Sequence, residues 1–166
     1  MNEQSFLSKL KKEKVLKSVE PSEEIKESYL KKANDCLAAA KILLNNKLYE
    51  NSIGSSYYTM YNGLTALLFK VGIKCENHNG SITIFKNFFN QPELLKIIVF
   101  GKEERIDKQY YPSSKDNPAS TEESTKDMIS KAENFLIKIR VVMNSLSQEE
   151  IIKLIRTMKK HTKKRG

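Results

Sequence analysis

The chain reads as all-α, an antiparallel up-and-down helical bundle of about five helices. Apolar residues recur at three- and four-residue steps in the longer segments, the spacing that lines one face of a helix. Capping and breaking residues bracket those segments: Ser22 with Glu23 and Glu24, the Asn45-Asn46 pair, Gly72, Pro92 and Ser147 with Glu150. The link between the first two long segments is too short to allow anything but antiparallel neighbours.

Residues 1–20 are Lys-rich and only weakly amphipathic through Phe6, Leu7, Leu10, Val15 and Leu16, which predicts a frayed helix or a mobile arm. Residues 21–146 form the bundle. Ser22 caps a helix whose face is Ile25, Tyr29, Ala33, Cys36, Leu37, Ala40, Leu43 and Leu44, with acids in the first turn where the helix dipole favours them. The organising helix follows, with Ile53, Tyr57, Tyr58, Tyr61, Leu64, Leu68 and Val71 on one buried face and Gly72 as its stop. Its small front residues Gly54, Ser55 and Ser56 leave room for a neighbour to come close. After KCENHNG comes a short helix with Ile82, Phe85, Phe88 and Phe89, then PELLKIIVF, a helix opened by Pro92 at its first position. Gly101 to Ala119, polar and carrying two prolines, reads as a long connection, which in a compact domain is functional or disordered. Ser120 and Glu123 make a capping box for a helix buried through Met128, Ala132, Phe135, Leu136, Ile139, Val142, Met143 and Leu146. Residues 147–166 are a last helix, through Ile151, Ile152, Leu154, Ile155 and Met158, running into a basic tail.

The net charge of +9 is carried by the ends: residues 1–20 contribute +2 and residues 151–166 contribute +7, so the middle sums to zero. Attraction to phosphate therefore belongs mainly to the tail residues Lys159, Lys160, Lys163, Lys164 and Arg165. The alternative is a solvated terminus that keeps the chain soluble. No run approaches the roughly 18 apolar residues a bilayer span needs, and the start lacks an apolar signal core, so a soluble, cytoplasmic protein is expected. Cys36 and Cys75 are too few and too far apart for a disulfide framework or a zinc site, and buried free thiols are expected. No metal or other cofactor is implied, and there is no glycine-rich phosphate loop.

Three stretches together carry a family resemblance over about Ser28 to Asn144. They are YLKKANDCLAAAKILLNNKLYENSIGSSYYTMYNGLTALL, with its S-x-a-Y-Y-a-m-y core, KCENHNGSI before the third core helix, and RIDKQY before the last. In order and spacing they resemble the HEPN domain family, in its small stand-alone prokaryotic branch. The resemblance implies an antiparallel helical bundle, commonly a homodimer, in a family that includes RNA-cleaving toxins and their degenerate relatives. These are often encoded beside a small nucleotidyltransferase that acts as antitoxin. Nuclease members carry R-x4-6-H, with arginine and histidine from two subunits facing one cleft. Arg105 fits the arginine, but Tyr110, Tyr111 and Pro112 occupy the positions five to seven residues on. Asn62 stands where many relatives have histidine, and Gln109 where the R-x-x-a-D-Y pattern has aspartate. The expectation is a homodimeric interaction module associated with RNA or a nucleotidyltransferase, its nuclease motif degenerate. The alternative is a metal-independent endoribonuclease using Arg105 with Tyr110 or His78.

Each candidate residue has two readings. Arg105 can clamp a phosphate by two parallel hydrogen bonds, or pair with Glu103, Glu104 or Asp107. His78 can serve as acid or base, or cap the helix that follows it. Tyr57, Tyr58 and Tyr61 can stack bases, but their spacing favours core or dimer packing. Tyr110 and Tyr111 can line the cleft or accept a nucleotide from a transferase, or simply anchor the loop.

Overall fold

The computed structural model describes residues 2–111 and 119–161, the side chains of 159–161 excepted. Among the described residues there are seven α-helices and one two-stranded ribbon, so the chain is all-α with more helices than the five expected. The order is α1 (Glu3–Lys12), β1 (Leu16–Ser18), α2 (Glu23–Asn45), α3 (Tyr49–Lys70), β2 (Ile73–Cys75), α4 (His78–Phe88), α5 (Pro92–Tyr110), α6 (Glu122–Ser145) and α7 (Gln148–His161).

Helix α3 is the axis of the bundle, with α2, α5 and α6 packed around it. It buries Ile53, Tyr57, Met60, Leu64, Leu67 and Leu68 almost completely, and each such side chain contributes roughly 1.5–3 kcal/mol. Ser52, Ser56, Thr59 and Gly63 are also buried, so α3 is covered on most of its circumference rather than on the single face its periodicity suggests. Close approach is made by residues other than the expected Gly54, around which a Cβ would meet nothing within 4 Å. The Ser52 hydroxyl donates to the Ala40 carbonyl of α2 at 2.7 Å. On the other side Gly63 lies against Ile139 and Leu136 of α6, where a Cβ would be 3.3 and 3.4 Å from their methyl groups.

The N-terminal segment is docked, where the sequence suggests a frayed helix or mobile arm. Asn2 caps α1 by accepting from Ser5 N at 2.8 Å, and Leu7 and Leu10 are buried. Strand β1 then pairs antiparallel with β2, Leu16 opposite Cys75 and Ser18 opposite Ile73. Gly72 makes the turn out of α3 possible: its φ is +72°, and its carbonyl accepts from Val19 N at 2.9 Å.

Helix α5 continues through Gly101 to Tyr110, across the first half of the stretch expected to be a connection. Gly101 serves packing rather than breaking the helix, since a Cβ there would come within 2.6 Å of the Met60 Cε and 2.9 Å of the Met128 Cε. Residues 112–118 of that connection lie outside the described residues. Thr121, not Ser120, caps α6; it forms a reciprocal box with Ser124 at 3.0 and 3.1 Å. The Ser147–Glu150 box is as expected: Ser147 N donates to Glu150 at 2.8 Å and Glu150 N donates to Ser147 Oγ at 3.2 Å. Among the described residues no helix is long and apolar enough to cross a membrane.

Candidate functional site

The site lies where the first turn of α4, the middle of α3 and the second half of α5 meet. Helix α4 starts at His78 because Asn77, in extended backbone, accepts from Gly80 N at 2.8 Å. His78 is thus the first helical residue, neither cap nor turn. Its first turn carries no acid, so the helix dipole makes this corner electropositive.

From α3, the Tyr57 hydroxyl lies 2.6 Å from His78 Nδ1. Tyr61, one turn on, stacks on the imidazole with ring centres 3.8 Å apart and planes 7° from parallel, while Tyr58 meets it edge-on at 6.1 Å. Lys102 and Arg105 come from the same side of α5, three residues apart. Lys102 donates to the Asn79 side chain. The Arg105 guanidinium lies 5.3 Å from the centre of the Tyr57 ring and 5.7 Å from that of Tyr58, and its Nη1 donates to Gln109 at 2.7 Å. Its Nε is buried with no hydrogen-bond partner. Arg105 is therefore set against aromatic rings and Gln109, where the sequence offers Glu103, Glu104 or Asp107 as partners.

Electrostatics fix the protonation states. Tyr57 is fully buried, and burial first of all pushes its phenol far above the ordinary range, so it stays protonated at neutral pH. His78 is held below its ordinary value by burial, then by the Arg105 and Lys102 charges, so its neutral form is favoured. A buried protonated phenol needs an acceptor, and a neutral imidazole has one. The Tyr57 hydroxyl therefore donates to Nδ1, and the His78 ring proton resides on Nε2. What results is a corner rich in donors: imidazole Nε2–H, guanidinium and ammonium.

Of the residues singled out from the sequence, Arg105 and His78 are brought together through Tyr57. Tyr110 ends α5 as a side chain 64% exposed. Lys163, Lys164 and Arg165 lie outside the described residues, as do the side chains of Lys159 and Lys160. Lys102 and Asn79 were not singled out, although the three-residue spacing of Lys102 and Arg105 would place them on one face once that stretch is read as helix. Tyr57 and His78 are 21 residues apart and nothing in the sequence joins them. Among the described residues no group of three or more His, Cys, Asp or Glu could hold a metal ion.

The HEPN domain family model matches residues 26–142, from the first turn of α2 to the last turn of α6, which encloses the whole cluster. The chain is 29% identical over 117 residues to a Methanocaldococcus jannaschii protein named "Putative toxin", covering 69% of this chain and 85% of that one. It is 27% identical over 135 residues to a UPF0332 protein of Thermotoga maritima, covering 76% of this chain and 96% of the relative. A UPF0332 protein of Pyrococcus horikoshii is 28% identical over 113 residues, covering 68% and 74% respectively. With most of its length matched and the bundle in place, the chain belongs to the HEPN domain family.

Proposed function

We propose that this chain is a toxin-like HEPN module that works as a homodimer and holds RNA by its phosphate backbone at the corner formed by Arg105, Lys102 and His78. The observation that carries this reading is the Tyr57 to His78 hydrogen bond. It commits Nδ1 as an acceptor and leaves a proton on Nε2, so His78 offers a phosphate oxygen a donor and offers a ribose hydroxyl no base. The Arg105 guanidinium beside it and the acid-free first turn of α4 add positive potential suited to a phosphodiester. Such a site grips RNA without cutting it, as the degenerate motif suggests. The toxin-like part of the proposal rests on family membership and on the name of the Methanocaldococcus relative. A nucleotidyltransferase is the proposed protein partner, and the exposed Tyr110 is a side chain that it could reach. Lys159, Lys160, Lys163, Lys164 and Arg165 would add sequence-blind attraction to RNA.

One observation favours a second reading, metal-independent RNA cleavage. His78 stands beside Arg105 and could replace the histidine missing after it. A single set of measurements separates the two: anisotropy of a labelled single-stranded RNA, incubation with total RNA, and sizing of the protein. The expected result is a dimer that binds but does not cut, with Arg105→Ala weakening binding about tenfold or more, the loss of one charge-assisted hydrogen bond. Binding that is indifferent to Arg105→Ala overturns the proposal. Cleavage that disappears in His78→Ala would establish the second reading in its place.

A further inference from the structure

Beside Tyr61, the β-ribbon and helices α2 and α3 line an open-sided cavity of about 500 Å³. We infer that this cavity is a nucleobase subsite, which takes a base of the RNA strand whose phosphate is held at Arg105 and His78. The inference rests on the phosphate-holding reading above and adds to it the part of the nucleotide that the corner itself leaves unbound.

Three aromatic side chains line the cavity: Tyr29 from α2, and Tyr61 and Phe69 from α3. Tyr29 and Phe69 stack with ring centres 5.4 Å apart and planes 15° from parallel, so they line the cavity as one packed aromatic pair. The Lys32 ammonium lies 4.8 Å over the Tyr29 ring, which places positive charge beside the aromatic wall, the combination that single-stranded nucleic acids use. Ile25, one turn ahead of Tyr29, lines the same cavity and remains 39% exposed, an apolar contact left open at its mouth.

The rim is polar. Glu20 and Glu76 both line it, the latter paired with Lys74 at 2.7 Å. Carboxylate oxygens suit the amino and imino N–H groups of a base, whereas a hydrocarbon chain would have nothing to offer them. The volume lies within the range of small-ligand pockets and exceeds what one base requires. Location is the strongest argument. Tyr61 lines the cavity and also stacks directly on His78 at 3.8 Å, so cavity and phosphate corner share one wall. The proposed nucleotide sets its phosphate at His78 and its base beside Tyr61, the residue that the two places share.

The test compares two fluorescein-labelled probes of equal length, a ten-nucleotide single-stranded RNA and the matching abasic ribose-phosphate oligomer, against the full chain. Tyr29→Leu keeps an apolar side chain on Phe69 and removes the aromatic ring; Tyr29→Phe keeps both. The expected result is RNA binding weakened about tenfold in Tyr29→Leu, abasic binding unchanged, and RNA binding retained in Tyr29→Phe. Ile25→Ser, an uncharged change on a partly exposed position, should show the same discrimination if Tyr29→Leu proves unfolded by circular dichroism. Equal losses on both probes, or no loss on either, overturn the cavity assignment. If Arg105→Ala still weakens both probes in that case, the phosphate reading stands alone. Should the unsubstituted chain bind neither probe, both readings fall.

Discussion

Removing one oxygen tests the arrangement on which the site depends. Tyr57→Phe keeps the ring that packs in the core and against Arg105, and deletes only the hydroxyl 2.6 Å from His78 Nδ1. The hydrogen bond is neutral and formed by a fully buried donor, so its loss alone is worth about 1 kcal/mol. An imidazole acceptor left without a partner raises the cost, but His78 is only partly buried and water can reach it, which limits the total to about 2 kcal/mol. For a chain of this size that corresponds to a fall in Tm of roughly 2–8 °C. Urea titration and thermal melts measure the energetic part. Imidazole ¹⁵N shifts measure the chemical part: Nε2–H is expected in the unsubstituted chain, and a mixture of tautomers in Tyr57→Phe. Unchanged stability together with an unchanged tautomer would mean that the hydroxyl does not set the state of His78, and the case for a donor-only corner would collapse.

Acid should weaken the fold through the same histidine. Because His78 in the folded chain is held below its ordinary pKa of about 6.5, the unfolded chain takes up its proton first as pH falls. The His78 contribution is complete above that value and is lost as pH falls through it toward the folded pKa. Arg105→Ala removes one of the causes, so the His78 titration followed by NMR should move upward in that variant; a downward move or none would contradict the geometry. Leu10→Ala tests the docking of α1. Leu10 is 4% exposed, and its cost is expected at the low end of the range for such truncations, about 2 kcal/mol, because a terminal helix can settle into the space. A loss below about 0.5 kcal/mol in urea denaturation would show that α1 contributes little to the folded state.

Much of the bundle is legible in the sequence because α2, α3 and α6 are long, and the three-to-four spacing repeats often enough to be unambiguous. The ribbon is not. Three-residue strands such as Leu16–Ser18 and Ile73–Cys75 carry no periodic signal, and their pairing joins segments nearly sixty residues apart. The extension of α5 was hidden for a different reason: a glycine followed by a charged run looks like a helix stop unless one knows that two methionine methyls occupy the space a Cβ would need. Arg105 and His78 were both visible as candidates. Their meeting depends on that unexpected half of α5 and on a tyrosine whose hydroxyl the amphipathic pattern treats as part of an apolar face.

The family match begins at residue 26, after the segment that props the first turn of α4 from behind. Gly80 lies so close to Leu10 that a Cβ there would come within 2.5 Å of the leucine methyl, and Glu76 N donates to Val15 O at 3.0 Å. A fragment trimmed to the matched span would keep every side chain of the donor corner yet lose the contacts that Leu10 and Val15 make around the start of α4. In this chain, then, the span matched by the family model leaves out a helix and a strand that pack against the residues it contains.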